Sequence, residues 1–135
     1  MNWRGVVKYL FMVLVLMIFP GQNLYADQPV MQAAEVVVTT GIQDRIPVDA
    51  IQSYAASVES LYCYCRMIGV RSEATIEHVW YHNGREVSRI SLPVRSSNWR
   101  TWSKKTIPAG GRGAWRVDVL DDQGEILGSQ GFTLM

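Results

Sequence analysis

From residue 35 onward the apolar residues recur at a period near two, and no stretch keeps an apolar face for three helical turns. Along an extended chain successive side chains point to opposite faces, so this pattern describes strands with one face turned to a core. Seven segments carry it: residues 35–40 (EVVVTT), 58–66 (VESLYCYCR), 74–81 (ATIEHVWY), 86–94 (EVSRISLPV), 99–106 (WRTWSKKT), 114–120 (AWRVDVL) and 125–134 (EILGSQGFTL). Asn83 and Gly84, between the third and fourth, accept the positive φ angles of a tight hairpin. "DDQG" at 121–124 is a second turn signal, and "IPAGGRG" at 107–113 makes a looser connection. Seven short strands with these turns predict an all-β fold, a single β-sandwich.

The same alternation assigns faces. Trp115, Val117 and Val119 are expected inward with Arg116 and Asp118 outward, and Leu61, Cys63 and Cys65 share a face against Tyr62, Tyr64 and Arg66. Ile76, His78 and Trp80 share the inner face of the third strand, as Phe132 and Leu134 do in the last. One segment departs from the period. In "VDAIQSYAAS", at 48–57, Asp49 and Gln52 have the spacing of a capping box, which predicts a single helical turn; a solvated connection is the competing expectation.

The chain of 135 residues opens differently. Arg4 and Lys8 precede an unbroken apolar run from Tyr9 to Phe19, followed by Pro20-Gly21 and "QNLYA". This order predicts a signal peptide over residues 1–26, cut after Ala26, and hence a periplasmic or secreted protein. Eleven apolar residues fall short of the roughly 20 that span a bilayer core. Leu24, two places before Ala26, is larger than the small residue favoured there, so an uncleaved anchor stays open as the one route to the membrane. Residues 27–34 form a short extension, and 35–135 make one domain, large enough to bury a core without a disulfide or metal. Without Arg4 and Lys8, 11 of the 13 basic residues remain against 12 acidic, a net charge of about −1, so overall charge points to no polyanion.

Cys63, Cys65, His78 and His82 invite comparison with a zinc finger. That comparison fails because "HVWYH" reads as a strand, where residues four apart lie about 13 Å from each other, too far for one zinc ion. A smaller set, Cys63 and Cys65 with His78 from a neighbouring strand, shares one inner face. Three readings remain for it: buried core thiols, a disulfide strained by its Cys-x-Cys spacing, or a thiolate–imidazole site for copper(I) or zinc. Neither a nucleophile elbow, a phosphate loop nor a carboxylate pair is present, and no cofactor is expected; the chain does not read as an enzyme.

Between Arg85 and Arg116 eight basic residues meet one acid, Glu86. Arg89 and Arg95 alternate with apolar residues, and Arg100 and Lys104 flank Trp102 at spacing two, so these five are the candidate binding residues for an anionic envelope polymer or an acidic envelope protein. Export disfavours nucleic acid.

"IEHVWYHNGREVSRISLPV", followed by "WRTWSKKTIPAGGRGAWRVDVLDDQGEILGSQGFTL", resembles the bacterial domain of unknown function 2914. The features that carry the likeness are His78, Trp80, the Asn83-Gly84 turn, Trp102-Ser103-Lys105, Gly113-x-Trp115-x-Val117, and Gly124 leading to Phe132. "DRIP" at 44–47 and Cys63 look like earlier landmarks, which extends the likeness over residues 36–134; Cys65 and His82 are not part of it. The resemblance implies an exported or membrane-attached immunoglobulin-like domain of uncharacterised activity, in which His78, Trp80, Gly84, Trp102, Ser103, Gly113, Trp115 and Phe132 are structural. The sequence therefore leads to an exported, non-enzymatic module for binding or assembly, with a metal or thiol-redox role for Cys63, Cys65 and His78 as its rival.

Overall fold

The structure, a computed structural model, describes residues 30–135; the expected export signal lies outside the described residues. The strands are β1 (Gln32–Thr39), β2 (Ile42–Gln43), β3 (Ile46–Pro47), β4 (Ser53–Tyr54), β5 (Ser60–Ile68), β6 (Ala74–His82), β7 (Arg85–Val94), β8 (Asn98–Thr106), β9 (Gly113–Leu120) and β10 (Ile126–Leu134). All seven expected strands form within three residues of their expected ends.

They divide into a three-stranded sheet, ordered β1-β5-β8, and a five-stranded sheet, ordered β4-β10-β9-β6-β7. Counting only the long strands, the first, second and fifth lie on one sheet, and the fourth, third, sixth and seventh on the other. The chain thus crosses between layers after β5, β7 and β8, the partition of an immunoglobulin-like sandwich. Long-strand neighbours pair antiparallel.

Alternation puts the inward-facing residues where the sequence expects them, but Tyr64 and Asp118, expected outward, are buried as well. Leu61, Cys63, Cys65 and Met67 are fully buried from one sheet, and Ile76, His78 and Trp80 from the other. One apolar cluster gathers around Trp80, Trp115 and Phe132, and the second around Met67, Ile76 and Val119. Phe132 joins the two tryptophans, edge-on to Trp80 at 6.3 Å and stacked on Trp115 at 5.9 Å.

The expected helical turn at Asp49 does not form. Its carboxylate instead reaches back ten residues, taking hydrogen bonds from the Thr39 hydroxyl at 2.6 Å and the Thr40 amide at 2.8 Å. Burial pushes the Asp49 pKa up, and the bonds from Thr39 and Thr40 outweigh it, leaving the group below its ordinary value of 3.8. The segment then runs as β4, parallel to the end of β10, with the Thr133 amide bonded to the Gln52 carbonyl at 2.9 Å. "DRIP" is the turn of a small hairpin, β2–β3, in which both Asp44 and Arg45 have positive φ, 51° and 64°.

Candidate functional site

The two sheets bring together part of the cysteine–histidine set. Cys65 on β5 has Sγ 3.3 Å from Nε2 of His78 on β6, and His78 Nδ1 lies 2.7 Å from Oγ of Ser103 on β8. Trp80 Nε1 donates to the same oxygen at 3.2 Å. A chain of polar groups, Cys65–His78–Ser103–Trp80, therefore crosses the middle of the sandwich. Proton counting orders it. The indole N–H only donates, so Ser103 Oγ accepts there and sends its own proton to Nδ1, which leaves the ring proton on Nε2, facing the sulfur. The other tautomer would leave the serine hydroxyl proton without an acceptor among the described residues.

Cys63 stands apart from this chain, in the apolar cluster with Val38, Leu61 and Trp80. Both cysteines are free thiols, so the strained disulfide is not formed. Among the described residues no three His, Cys, Asp or Glu side chains lie close enough to hold a metal. Burial lowers the His78 pKa to about 4 and pushes the Cys65 thiol up to about 12. Burial, and then the nearness of Cys65, raise Cys63 well above its ordinary value. At neutral pH thiol and imidazole are both uncharged, which is the opposite of the thiolate–imidazolium pair that a nucleophilic cysteine needs. His82 belongs elsewhere: it stacks on Trp115 at 4.3 Å and its Nε2 donates to the Arg112 carbonyl at 2.6 Å.

The basic residues separate by sheet. Arg100, Trp102 and Lys104 stand on the outer face of β8, each directly opposite a β5 residue: Arg66, Tyr64 and Tyr62 in turn. β1 completes three rows with Glu35, Val37 and Thr39. From the β2–β3 hairpin Arg45 leans over Trp102, 5.6 Å from the ring centroid, and donates to the Arg100 carbonyl at 3.3 Å. Lys104 lies 5.9 Å over Tyr62. Only Arg66 has a carboxylate, Glu35 at 3.5 Å; among the described residues Arg45, Arg100 and Lys104 have none within ion-pair distance.

Arg89 is on the other sheet, on β7, where it pairs with Glu77 at 3.1 Å and Glu86 at 2.7 Å. Arg116 on the same sheet is bonded to Asp118 at 3.0 Å and lies over Tyr81 at 4.3 Å. Arg95 is exposed in the link between β7 and β8. Of the five expected binding residues the structure thus groups Arg100, Trp102 and Lys104, and it sets Arg89 apart, neutralised. It adds Arg45, Tyr62 and Arg66. The outward alternation of Tyr62 and Arg66 was visible in the sequence, but their partnership with β8 was not, because strand pairing is non-local.

The residues behind the family resemblance have structural partners. Asn83, at φ 51°, and Gly84, at φ 80°, make the β6–β7 turn. The Asn83 side-chain oxygen accepts from the Ala114 amide at 3.0 Å, and the Asn83 backbone N–H donates to the Ala114 carbonyl at 2.7 Å. Gly113 sits under that side chain at φ 123°, where only glycine fits without strain. Residues 73–134 match the model of a family described as protein of unknown function (DUF2914), while no curated protein matches the chain. The match takes in β6 to β10 but neither "DRIP" nor Cys63, so it is shorter than the likeness read from the sequence. The likeness to the DUF2914 family read from the sequence is thus supported over residues 73–134.

Proposed function

We propose that this is an exported, non-enzymatic binding or assembly module, and that its working surface is the outer face of the three-stranded sheet. The observation that carries the reading is the contrast between the two outer faces. On the five-stranded sheet Arg89 and Arg116 are each neutralised by carboxylates of the same sheet, and Arg85, at the start of β7, stands exposed outside any cation–ring contact among the described residues. On the outer face of the three-stranded sheet Arg100 and Lys104, with Arg45 from the hairpin above it, are left to meet charge from outside, beside half-buried aromatic rings. Such a face attracts anions and raises their local concentration. Export rests on the sequence of residues 1–26. The absence of catalysis is argued from the sealed and uncharged state of the Cys65–His78–Ser103 chain.

Chromatography on carboxylate- and phosphate-bearing resins tests this. The double variant Arg100→Glu/Lys104→Glu should elute at markedly lower salt than the parent, and Arg85→Glu, on the five-stranded sheet, should elute with it. Equal retention of the double variant overturns the reading. The rival metal or redox reading has the 3.3 Å approach of Cys65 to His78 in its favour. Stoichiometric copper or zinc in protein purified from the envelope would establish it in place of the binding role.

A further inference from the structure

The outer face has two further features that narrow what it binds, given the binding role just proposed. The first is the layout of its charge. Arg66 and Arg100 are direct cross-strand partners, where like charges repel, and Glu35 answers only one of them. Arg100 and Lys104 are four residues apart on one strand, about 13 Å, with Trp102 between. A compact anion is held by groups converging on a pocket. Cations spread along a pleated face match an extended chain with repeated negative charge.

The second feature is Arg45. It occupies the second turn position of the β2–β3 hairpin at φ 64°, a conformation costly for a residue with a Cβ and one for which glycine is favoured after aspartate. The strain delivers a guanidinium to the exposed face, over Trp102 and onto the Arg100 carbonyl. Strain kept at the residue that supplies a charge to an open surface is a mark of use rather than of folding. Arg45 and Lys104 each cover an aromatic ring. When these exposed cations turn to a ligand's charges they uncover the flat faces of Trp102 and Tyr62, on which a pyranose ring can lie. The only aliphatic side chain in the three rows is Val37, half-buried, and the exposed aliphatics beside them are Ile46 and Val48 of the hairpin.

From these features we infer that the face binds an extended acidic polysaccharide, with Arg45 as a clamp that moves from Trp102 to the ligand and sugar rings stacking on Trp102 and Tyr62.

Titration calorimetry on the full chain, with polygalacturonate and poly-L-glutamate of matched length and charge, tests the inference. Polygalacturonate should bind about tenfold more tightly, and Trp102→Leu should abolish that preference. Arg45→Gly should weaken polygalacturonate binding by about tenfold while leaving the melting temperature unchanged or higher, since Asp-Gly suits the turn; Arg45→Lys should recover part of the affinity. Equal affinity for the two polymers, unchanged binding by Arg45→Gly, a fall in its melting temperature, or tighter binding of single-stranded DNA each overturns the inference. Equal affinity would still leave the anion-binding role standing, whereas binding of neither polymer removes both.

Discussion

His78 Nδ1, on the five-stranded sheet, stands 2.7 Å from Ser103 Oγ on the three-stranded sheet, so one hydroxyl ties the two layers together through the centre of the core. The same oxygen receives the Trp80 indole proton at 3.2 Å. No buried side-chain nitrogen or oxygen among the described residues lacks a partner, which makes this chain of bonds complete as it stands.

Ser103→Ala leaves both His78 Nδ1 and the Trp80 N–H buried without a partner. At about 1–3 kcal/mol for each orphaned group, urea unfolding should show a loss of about 2–6 kcal/mol. Replacing His78 by leucine in the same protein removes one of the orphans, so the double variant should cost less than the sum of the singles by about 0.5–3 kcal/mol. Strict additivity would show that the hydroxyl does not serve both rings.

Burial holds the folded-state pKa of His78 at about 4, while the ordinary value is 6.5. Between these limits the unfolded chain binds a proton that the folded one refuses, so stability is fully present above pH 6.5 and falls as the pH drops toward 4. The loss is on the order of 3 kcal/mol. Asp49, lowered from 3.8, acts in a separate window below that pH. Unfolding midpoints at pH 7.5 and 5 should differ in the parent and converge in His78→Leu; parallel slopes would place the titration elsewhere. Nitrogen NMR should find the ring neutral at pH 7 with its proton on Nε2.

How much of this was legible depended on the range of the interaction. Period-two alternation located all seven long strands and turned Cys65, His78 and Trp80 inward, since each such decision needs only neighbours one or two residues away. It could not show that Ser103 would stand between His78 and Trp80, because that depends on which strand of one layer crosses which of the other. Asp49 misled for the same reason: a local capping box competed with threonines ten residues back, and the distant partners won. Asp44-Arg45 was missed as a turn because arginine gives no signal for positive φ. Arg89 looked available because the carboxylate of Glu77 comes from the adjacent strand.

The buried thiols give a kinetic test. With Cys65 raised to about 12 and Cys63 raised well above its ordinary range, neither ionises at pH 8, and both are shielded from reagent. Ellman's reagent should count no thiols in the native protein and two after denaturation. Prompt native reaction would contradict the buried, neutral state. The two positions should also differ: Cys63→Ala removes packing alone, but Cys65→Ala also deprives His78 Nε2 of its sulfur, so it should be the more destabilising by about 1 kcal/mol.

Gly84 and Gly113 both have positive φ, 80° and 123°, but their surroundings differ. A Cβ on Gly84 meets nothing within 4 Å, so Gly84→Ala carries only the backbone penalty, about 1–2 kcal/mol. A Cβ on Gly113 collides with Oδ1 of Asn83. That side chain cannot yield cheaply, because it accepts the Ala114 amide at 3.0 Å and so fastens the β6–β7 turn to the start of β9. Gly113→Ala should therefore cost more than Gly84→Ala by about 1–2 kcal/mol, the added loss being one hydrogen bond to a fixed amide and the displaced turn. Asn83→Ala combined with Gly113→Ala relieves the collision and should bring the second substitution back to the backbone penalty alone. Measured by urea unfolding, equal costs for the two glycine variants, or no relief in the double variant, would show that the turn is not held by Asn83.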